Sequence, residues 1–251
     1  MPTQNAFSAT HLVPSCPPIS SEMVLGLIVP STDNLAELEL CRMLKEDGVC
    51  FSAARIKHQE PDSPQRAVEN LYQHAHEIAH AGELYDPPGV VNVFIYACTS
   101  GSATISQARL EEELRRSRPR AFITSPMTGA LRAFHQFRAT RIAMLAPYID
   151  EVGAVIAECV EESGFTVCSY ASFNLRTDSA IAAVAPESIF EAACSIDTRN
   201  WRCRTSSVIE RLEARIGKPV ISAHQAMLWD ALRLASYEKP IAHGRLLMLT
   251  R

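Results

Sequence analysis

Residues 26–52 read GLIVPSTDNLAELELCRMLKEDGVCFS, and residues 142–169 read IAMLAPYIDEVGAVIAECVEESGFTVCS. Each stretch opens with an apolar run, turns at a proline, reaches an aspartate, and continues with apolar residues at helical spacing. Each then passes a glycine into a second apolar run. Pro30 answers Pro147, Asp33 answers Asp150 and Gly48 answers Gly164, with one residue of drift. A second pair follows in the same order: RAFITSPMTGALRAF from Arg120 and KPVISAHQAMLWDAL from Lys218. Two matched pairs in one order point to a duplicated β/α unit. The plainer alternative is that any two strand–loop–helix units look alike.

Working outward, strands are expected at Met23–Val29, Val49–Ala54, Val90–Tyr96, Ala121–Thr124, Arg141–Leu145, Thr166–Tyr170 and Pro219–Ser222. Helical spacing fills the intervals at Leu35–Leu44, Ala67–Ala81, Ile105–Leu114 and Glu151–Val160. Continuous apolar strands alternating with amphipathic helices imply an α/β fold, a parallel sheet covered on both faces. Ligands of such sheets sit beyond the carboxyl ends of the strands. The residues there are Pro30–Asp33, Cys98–Ser100, Thr124–Pro126, Pro147–Asp150 and Ser222–Gln225.

The chain has 251 residues and a net charge of −4, with no strongly basic half, so a nucleic-acid partner is not expected. No apolar run approaches the roughly 18 residues that span a bilayer, so no membrane role is expected either. Residues 1–21 form a Pro/Ser-rich lead, expected to be flexible, without the charged start and apolar stretch of a secretory signal. Eight cysteines without tight CxxC pairs suggest reduced thiols in the cytoplasm. Oligomeric state is not legible, and a homo-oligomer stays open.

The stretch that carries chemistry is VVNVFIYACTSGSATI, residues 90–105. A buried-type strand ends at Cys98, Thr99, Ser100 and Gly101, and a helix follows. Backbone N–H groups at a helix start attract anions, and the hydroxyls of Thr99 and Ser100 add donors. The same field is expected to lower the thiol pKa, and the thiolate is the reactive species. Cys98 is thus a candidate nucleophile or proton-transfer group beside a carboxylate pocket. The alternative is a small buried cysteine at a tight turn.

With these pieces in view, the sequence resembles the aspartate/glutamate racemase superfamily. It is most similar to the branch of maleate cis-trans isomerase, arylmalonate decarboxylase and the ectoine-utilisation (EutA-like) proteins. The resemblance rests on GLIVPSTDN, YACTSGSATI, ITSPMTGALRAF, IAMLAPYIDEV, Ser172–Asn174, VIERLEARIGKPVISAHQAMLWDALRLA and the final GRLL, in family order from residue 23 onward. It implies two pseudo-symmetric, flavodoxin-like half-domains, each with a roughly four-stranded parallel sheet, and an active site in the cleft between them. The first half would span 22–118 with the C-terminal segment 222–251 returning to it, and the second 119–221. It implies a small carboxylate substrate and neither cofactor nor metal. Isomerisation, racemisation or decarboxylation would proceed through Cys98. Carboxylate oxygens would be held by Ser31, Asp33, Thr99, Ser100, Tyr148 and His224. The first-half cysteine adds to a double bond in the isomerases of this branch; in the racemases two thiols work from opposite faces.

Three departures stand against that pattern. Asp33 replaces an Asn usual in the maleate isomerases, and a carboxylate there would repel an anionic substrate unless protonated or turned away. His224 replaces an Asn common in the last loop. The second catalytic cysteine should follow a buried strand, but EAACSIDTRNWRCRTSSVIE (191–210) offers few apolar residues. Family spacing lands near Asn200; Cys203, about three positions late, is the candidate second catalytic thiol. A degenerate chain that keeps the fold and has lost the second thiol is therefore the alternative. A third reading is a zinc hydrolase through His76, Glu77 and His80, which match H-E-x-x-H. Their helix has its apolar stripe at Val68, Leu71, Ala75, Ile78 and Ala79, so a solvated face competes with metal binding; His74 adds nothing decisive. EEELRRSR (111–118) reads as an exposed charged face, Trp229 as core, and Cys41, Cys50, Cys159 and Cys168 as buried.

Overall fold

A computed structural model describes residues 23–44, 48–59, 64–85, 89–196 and 208–250. The lead and Cys203 lie outside the described residues. The order is β1 (Met23–Pro30), α1 (Ala36–Met43), β2 (Val49–Ile56), α2 (Pro64–Glu83), β3 (Val93–Tyr96), α3 (Thr99–Thr104), α4 (Gln107–Ser117), β4 (Phe122–Thr124) and α5 (Pro126–Gln136). Then come β5 (Arg141–Tyr148), α6 (Asp150–Glu162), β6 (Thr166–Leu175), α7 (Asp178–Ala182), α8 (Pro186–Ile196), α9 (Val208–Ile216), α10 (Ala223–Leu234) and α11 (Gly244–Leu247). None of the described helices is long and apolar enough to cross a membrane.

The first half carries a four-stranded sheet in the order β2-β1-β3-β4, with every neighbour parallel. The period of two along the strands divides its core. Leu25, Leu27, Val29, Val93 and Ile95 pack on one face, with α1 and α10. Ile28, Phe94 and Tyr96 pack on the other, with α2 and α4, and Cys98 joins them at the edge. Central strands buried on both faces are continuously apolar for this reason.

Among the described residues the second half has a two-stranded parallel sheet, β5-β6. The α/β class with two similar halves stands, and the repeat is visible in detail. Gly48 before β2 has φ +66° and Gly164 before β6 has φ +90°, a backbone region open to glycine and costly for other residues. Ser125 caps α5 by accepting from Thr128 N, and Ser222 caps α10 by accepting from Gln225 N. The two capped helices cross: a Cβ on Gly129, four residues past one cap, would stand 2.5 Å from the carbonyl carbon of Ala226, four past the other. Met127 of α5 packs into the second core, while α10 packs into the first.

Several expectations are corrected. Residues 219–222 form no strand. The Val220 N–H donates to Glu213 Oε1 at 3.0 Å and Ser222 serves as a helix cap, so these backbone groups have partners other than a ladder. β4 pairs with β3, so the first sheet runs on to Thr124. Cys194 lies in α8, and most of the stretch read as a missing or broken strand, residues 197–207, lies outside the described residues. Cys41, Cys50 and Cys168 are exposed: Cys50 alternates with buried Val49 on the edge strand β2, and Cys41 points away from buried Leu40. The charged run is only partly solvated. Glu113 is buried beneath Arg109 and Arg116, and buried Arg118 donates through Nε to Gly82 O at 2.8 Å. Trp229 is core, with its indole N–H donating to Leu249 O at 3.1 Å.

Candidate active site

Cys98 follows β3 and is the N-cap of α3, half-buried, with Sγ accepting from Gly101 N at 3.3 Å and 3.7 Å from Ser100 Oγ. The thiol is not lowered as the sequence suggested. Burial pushes it above its ordinary value and Asp178 adds to this; Gly101 N–H, Ser100 and Tyr96 pull the other way without overcoming it. The physical reason is that α3 has only six residues, a small dipole to set against desolvation.

Other groups converge on the sulfur. Thr99 faces Tyr148 at the end of β5, which brings the second half to the first. Burial, and then the neighbouring Cys98, push the Tyr148 phenol well up, so it stays a proton donor across the working pH range. The His224 imidazole is pushed down by burial, with Asp33 and Glu39 opposing, so it sits between α10 and the first loop as a neutral ring at pH 7. Asp33 spends one carboxylate oxygen on the chain itself: Oδ1 accepts from Leu35 N at 2.7 Å and Ala36 N at 3.0 Å, satisfying backbone donors at the start of α1. That is where the feared anionic repulsion is partly spent.

Ser31 is engaged elsewhere. Its Oγ accepts from His58 N at 3.1 Å and faces His58 O at 3.4 Å, joining the ends of β1 and β2. The neighbouring Thr32 hydroxyl donates to Asp178 Oδ2 across the two halves. Thus Cys98, Thr99, Ser100 and Tyr148 are neighbours, Asp33 acts electrostatically on both Tyr148 and His224, and Ser31 is engaged with His58.

Three residues around this group went unnoticed in the sequence, Asp178, His58 and Tyr96, and a fourth, His74, was noticed there without being given a role. His58 Nδ1 lies 2.8 Å from His74 Nε2, and His74 Nδ1 lies 2.6 Å from the Tyr96 hydroxyl, which with Cys98 Sγ stands against Gly101. The signal for His74 was its place on the stripe Leu71–His74–Ala75–Ile78, all buried. A histidine there needs polar partners.

The zinc motif does not assemble. His76 and His80 are exposed, and His80 Nδ1 faces Glu83 at 3.5 Å. Among the described residues no three His, Cys, Asp or Glu side chains are grouped to hold a metal.

Comparison with known proteins agrees with this architecture. The chain is 23% identical over 242 residues to the maleate isomerase of Pseudomonas putida strain KT2440, covering 88% of this chain and 94% of that one. It is 24% identical over 226 residues to the arylmalonate decarboxylase of Bordetella bronchiseptica, covering 86% and 92%. A solved structure of a Nocardia farcinica maleate cis-trans isomerase, a cysteine-to-serine mutant with a covalently bound succinylcysteine intermediate, superposes with a TM-score of 0.75. It shares 21% identity and covers 90% of this chain and 98% of that one. The arylmalonate decarboxylase family model matches residues 25–247, and with that span of the chain accounted for, the chain belongs to the arylmalonate decarboxylase family.

Proposed function

We propose that the chain is a cofactor-independent enzyme acting on a small carboxylic acid through Cys98, with cis-trans isomerisation of an unsaturated diacid as the reaction it fits best. The observation that carries this reading is the position of the sulfur: half-open at the end of β3, beside the Thr99 and Ser100 hydroxyls and facing the Tyr148 phenol of the other half. The solved Nocardia farcinica relative, with its succinylcysteine intermediate, supports the same chemistry by likeness.

In this mechanism the thiolate of Cys98 adds to one alkene carbon. A C–S bond forms, the C=C π bond breaks, and its electron pair moves onto the adjacent carboxylate as an enediolate. Hydroxyl donors from Thr99, Ser100 and Tyr148 stabilise that oxyanion, an interaction typically worth about 3–4 kcal/mol per donor in a water-poor site. The former double bond is now single and rotates. The electron pair then returns, the C–S bond breaks, and the trans acid leaves with the thiolate restored. The same enediolate would form after loss of carbon dioxide from a malonate, so the two reactions place similar demands on these donors.

The test is a turnover screen of maleate, arylmalonates, aspartate and ectoine-pathway acids, followed by NMR. Conversion of maleate to fumarate is expected. A folded chain that converts none of these acids overturns the reading.

A further inference from the structure

We propose that Tyr96, His74 and His58 form a proton relay that carries the Cys98 proton out of the core to His58, beside Asp178. The inference rests on the reading of Cys98 as a reactive thiol. It explains how a thiol held in its protonated form by burial could be activated.

The relay follows from two periodicities. Tyr96 and Cys98 are two residues apart at the end of β3, so both turn to the α2 face of the first sheet. On α2, His74 lies on the buried stripe and meets them there. Cys98 Sγ and the Tyr96 hydroxyl both stand against Gly101, where a Cβ would meet the two of them; that hydroxyl lies 2.6 Å from His74 Nδ1, and His74 Nε2 lies 2.8 Å from His58 Nδ1. His58 Nε2 lies 3.9 Å from Asp178 Oδ2. His74 and Tyr96 are 1% and 0% exposed, so neither can exchange protons directly with bulk water.

In the resting arrangement the Cys98 S–H donates to the Tyr96 oxygen, the Tyr96 O–H donates to His74 Nδ1, and the His74 Nε2–H donates to His58 Nδ1. His58 carries its remaining proton on Nε2. Activation moves each proton one step along the chain. The S–H bond breaks and its proton joins the Tyr96 oxygen; the former phenol proton passes to His74 Nδ1; the Nε2 proton of His74 passes to His58 Nδ1. The sulfur keeps the electron pair as a thiolate, Tyr96 and His74 end neutral, and His58 ends as an imidazolium facing Asp178.

Burial, helped by His58, pushes His74 down to about 4, so it is neutral near pH 7 and passes a proton on rather than storing one. The phenol of Tyr96 is pushed well above its ordinary value and remains protonated. The groups that face these atoms are Ser100, Gly101 N–H, Tyr148 and Asp178 around the sulfur. His58 and Tyr96 face His74, and Asp178 with the Ser31 hydroxyl lies at His58.

The test needs no substrate. Alkylation of Cys98 by iodoacetamide is followed from about pH 5 to 11, with mass spectrometry resolving the Cys98 peptide from the other thiols. Wild type is compared with His58→Ala, His58→Gln and Tyr96→Phe, each checked for folding by circular dichroism. The relay predicts a midpoint about one unit higher and a rate at pH 7 about tenfold lower in all three variants. His58→Gln should not rescue, because an amide cannot take up the proton. An unmoved midpoint, with only the high-pH plateau altered, overturns the relay and leaves a packing role. If the midpoint moves in a chain that converts none of the acids, the relay stands and the isomerase reading fails; the converse pattern does the opposite.

Discussion

Replacing Gly129 by Ala tests the crossing on which the two halves meet. A Cβ there would lie 2.5 Å from the carbonyl carbon and 3.0 Å from Met227 N, with the Ala226 carbonyl oxygen in direct conflict. All three atoms belong to the backbone of α10, so none can swing aside. Overpacking of this kind costs about 1–3 kcal/mol, and a backbone contact argues for the upper end. The gain from replacing glycine inside a helix returns about 1 kcal/mol, so the net loss is about 2 kcal/mol. For a chain of this size that lowers Tm by about 4–8 °C. Gly153→Ala is the matched control. Its Cβ would meet only the hydroxyl end of Tyr170, a side chain 38% exposed that can rotate away. Its propensity gain should leave Tm unchanged or raise it by up to about 4 °C. Both variants and wild type are melted by circular dichroism at one protein concentration. A Gly129→Ala chain as stable as wild type, or an equal loss in Gly153→Ala, would refute the geometry of the crossing.

Asp33→Ala should cost about 0.5–2 kcal/mol through loss of its hydrogen bonds at the start of α1, while Asp33→Asn keeps most of that stability, read as urea midpoints. The His74 pKa is depressed to about 4, so between about pH 4 and 6.5 the unfolded chain binds the extra proton and stability rises with pH. The difference in unfolding free energy between pH 7 and 4 should therefore carry about 3 kcal/mol from this group, and His74→Gln should remove that part of the slope. Chelators, and the double change His76→Ala with His80→Ala, should leave turnover at the wild-type rate; a loss with either would revive the zinc reading.

The duplication was legible because it is written in residues with backbone consequences. Gly48 and Gly164 both adopt positive φ, and Pro30 and Pro147 stand at the last and next-to-last positions of equivalent strands. Apolar runs also marked β1 and β3, whose burial on both faces leaves no polar position. The segment 219–222 misled because a strand is made by its neighbour, and Val220 finds Glu213 instead. Cys41, Cys50 and Cys168 misled because a cysteine is as compatible with an outward face as with a core.

At the site, Cys98, Thr99 and Ser100 were readable from one continuous motif. The direction of the thiol shift was not, because burial of the sulfur and the nearby charge of Asp178, 80 residues on, come only with tertiary folding. The His58–His74–Tyr96 contacts join residues 16 and 22 positions apart on three different elements, beyond any local pattern.

The most direct measurement is the turnover of the converted acid by Cys98→Ala, folded as judged by its melting curve. The account predicts a fall of at least about a thousandfold, with wild type losing the same activity when Cys98 alone is alkylated. Turnover by Cys98→Ala within a few-fold of wild type would place the reacting atom elsewhere and contradict the account.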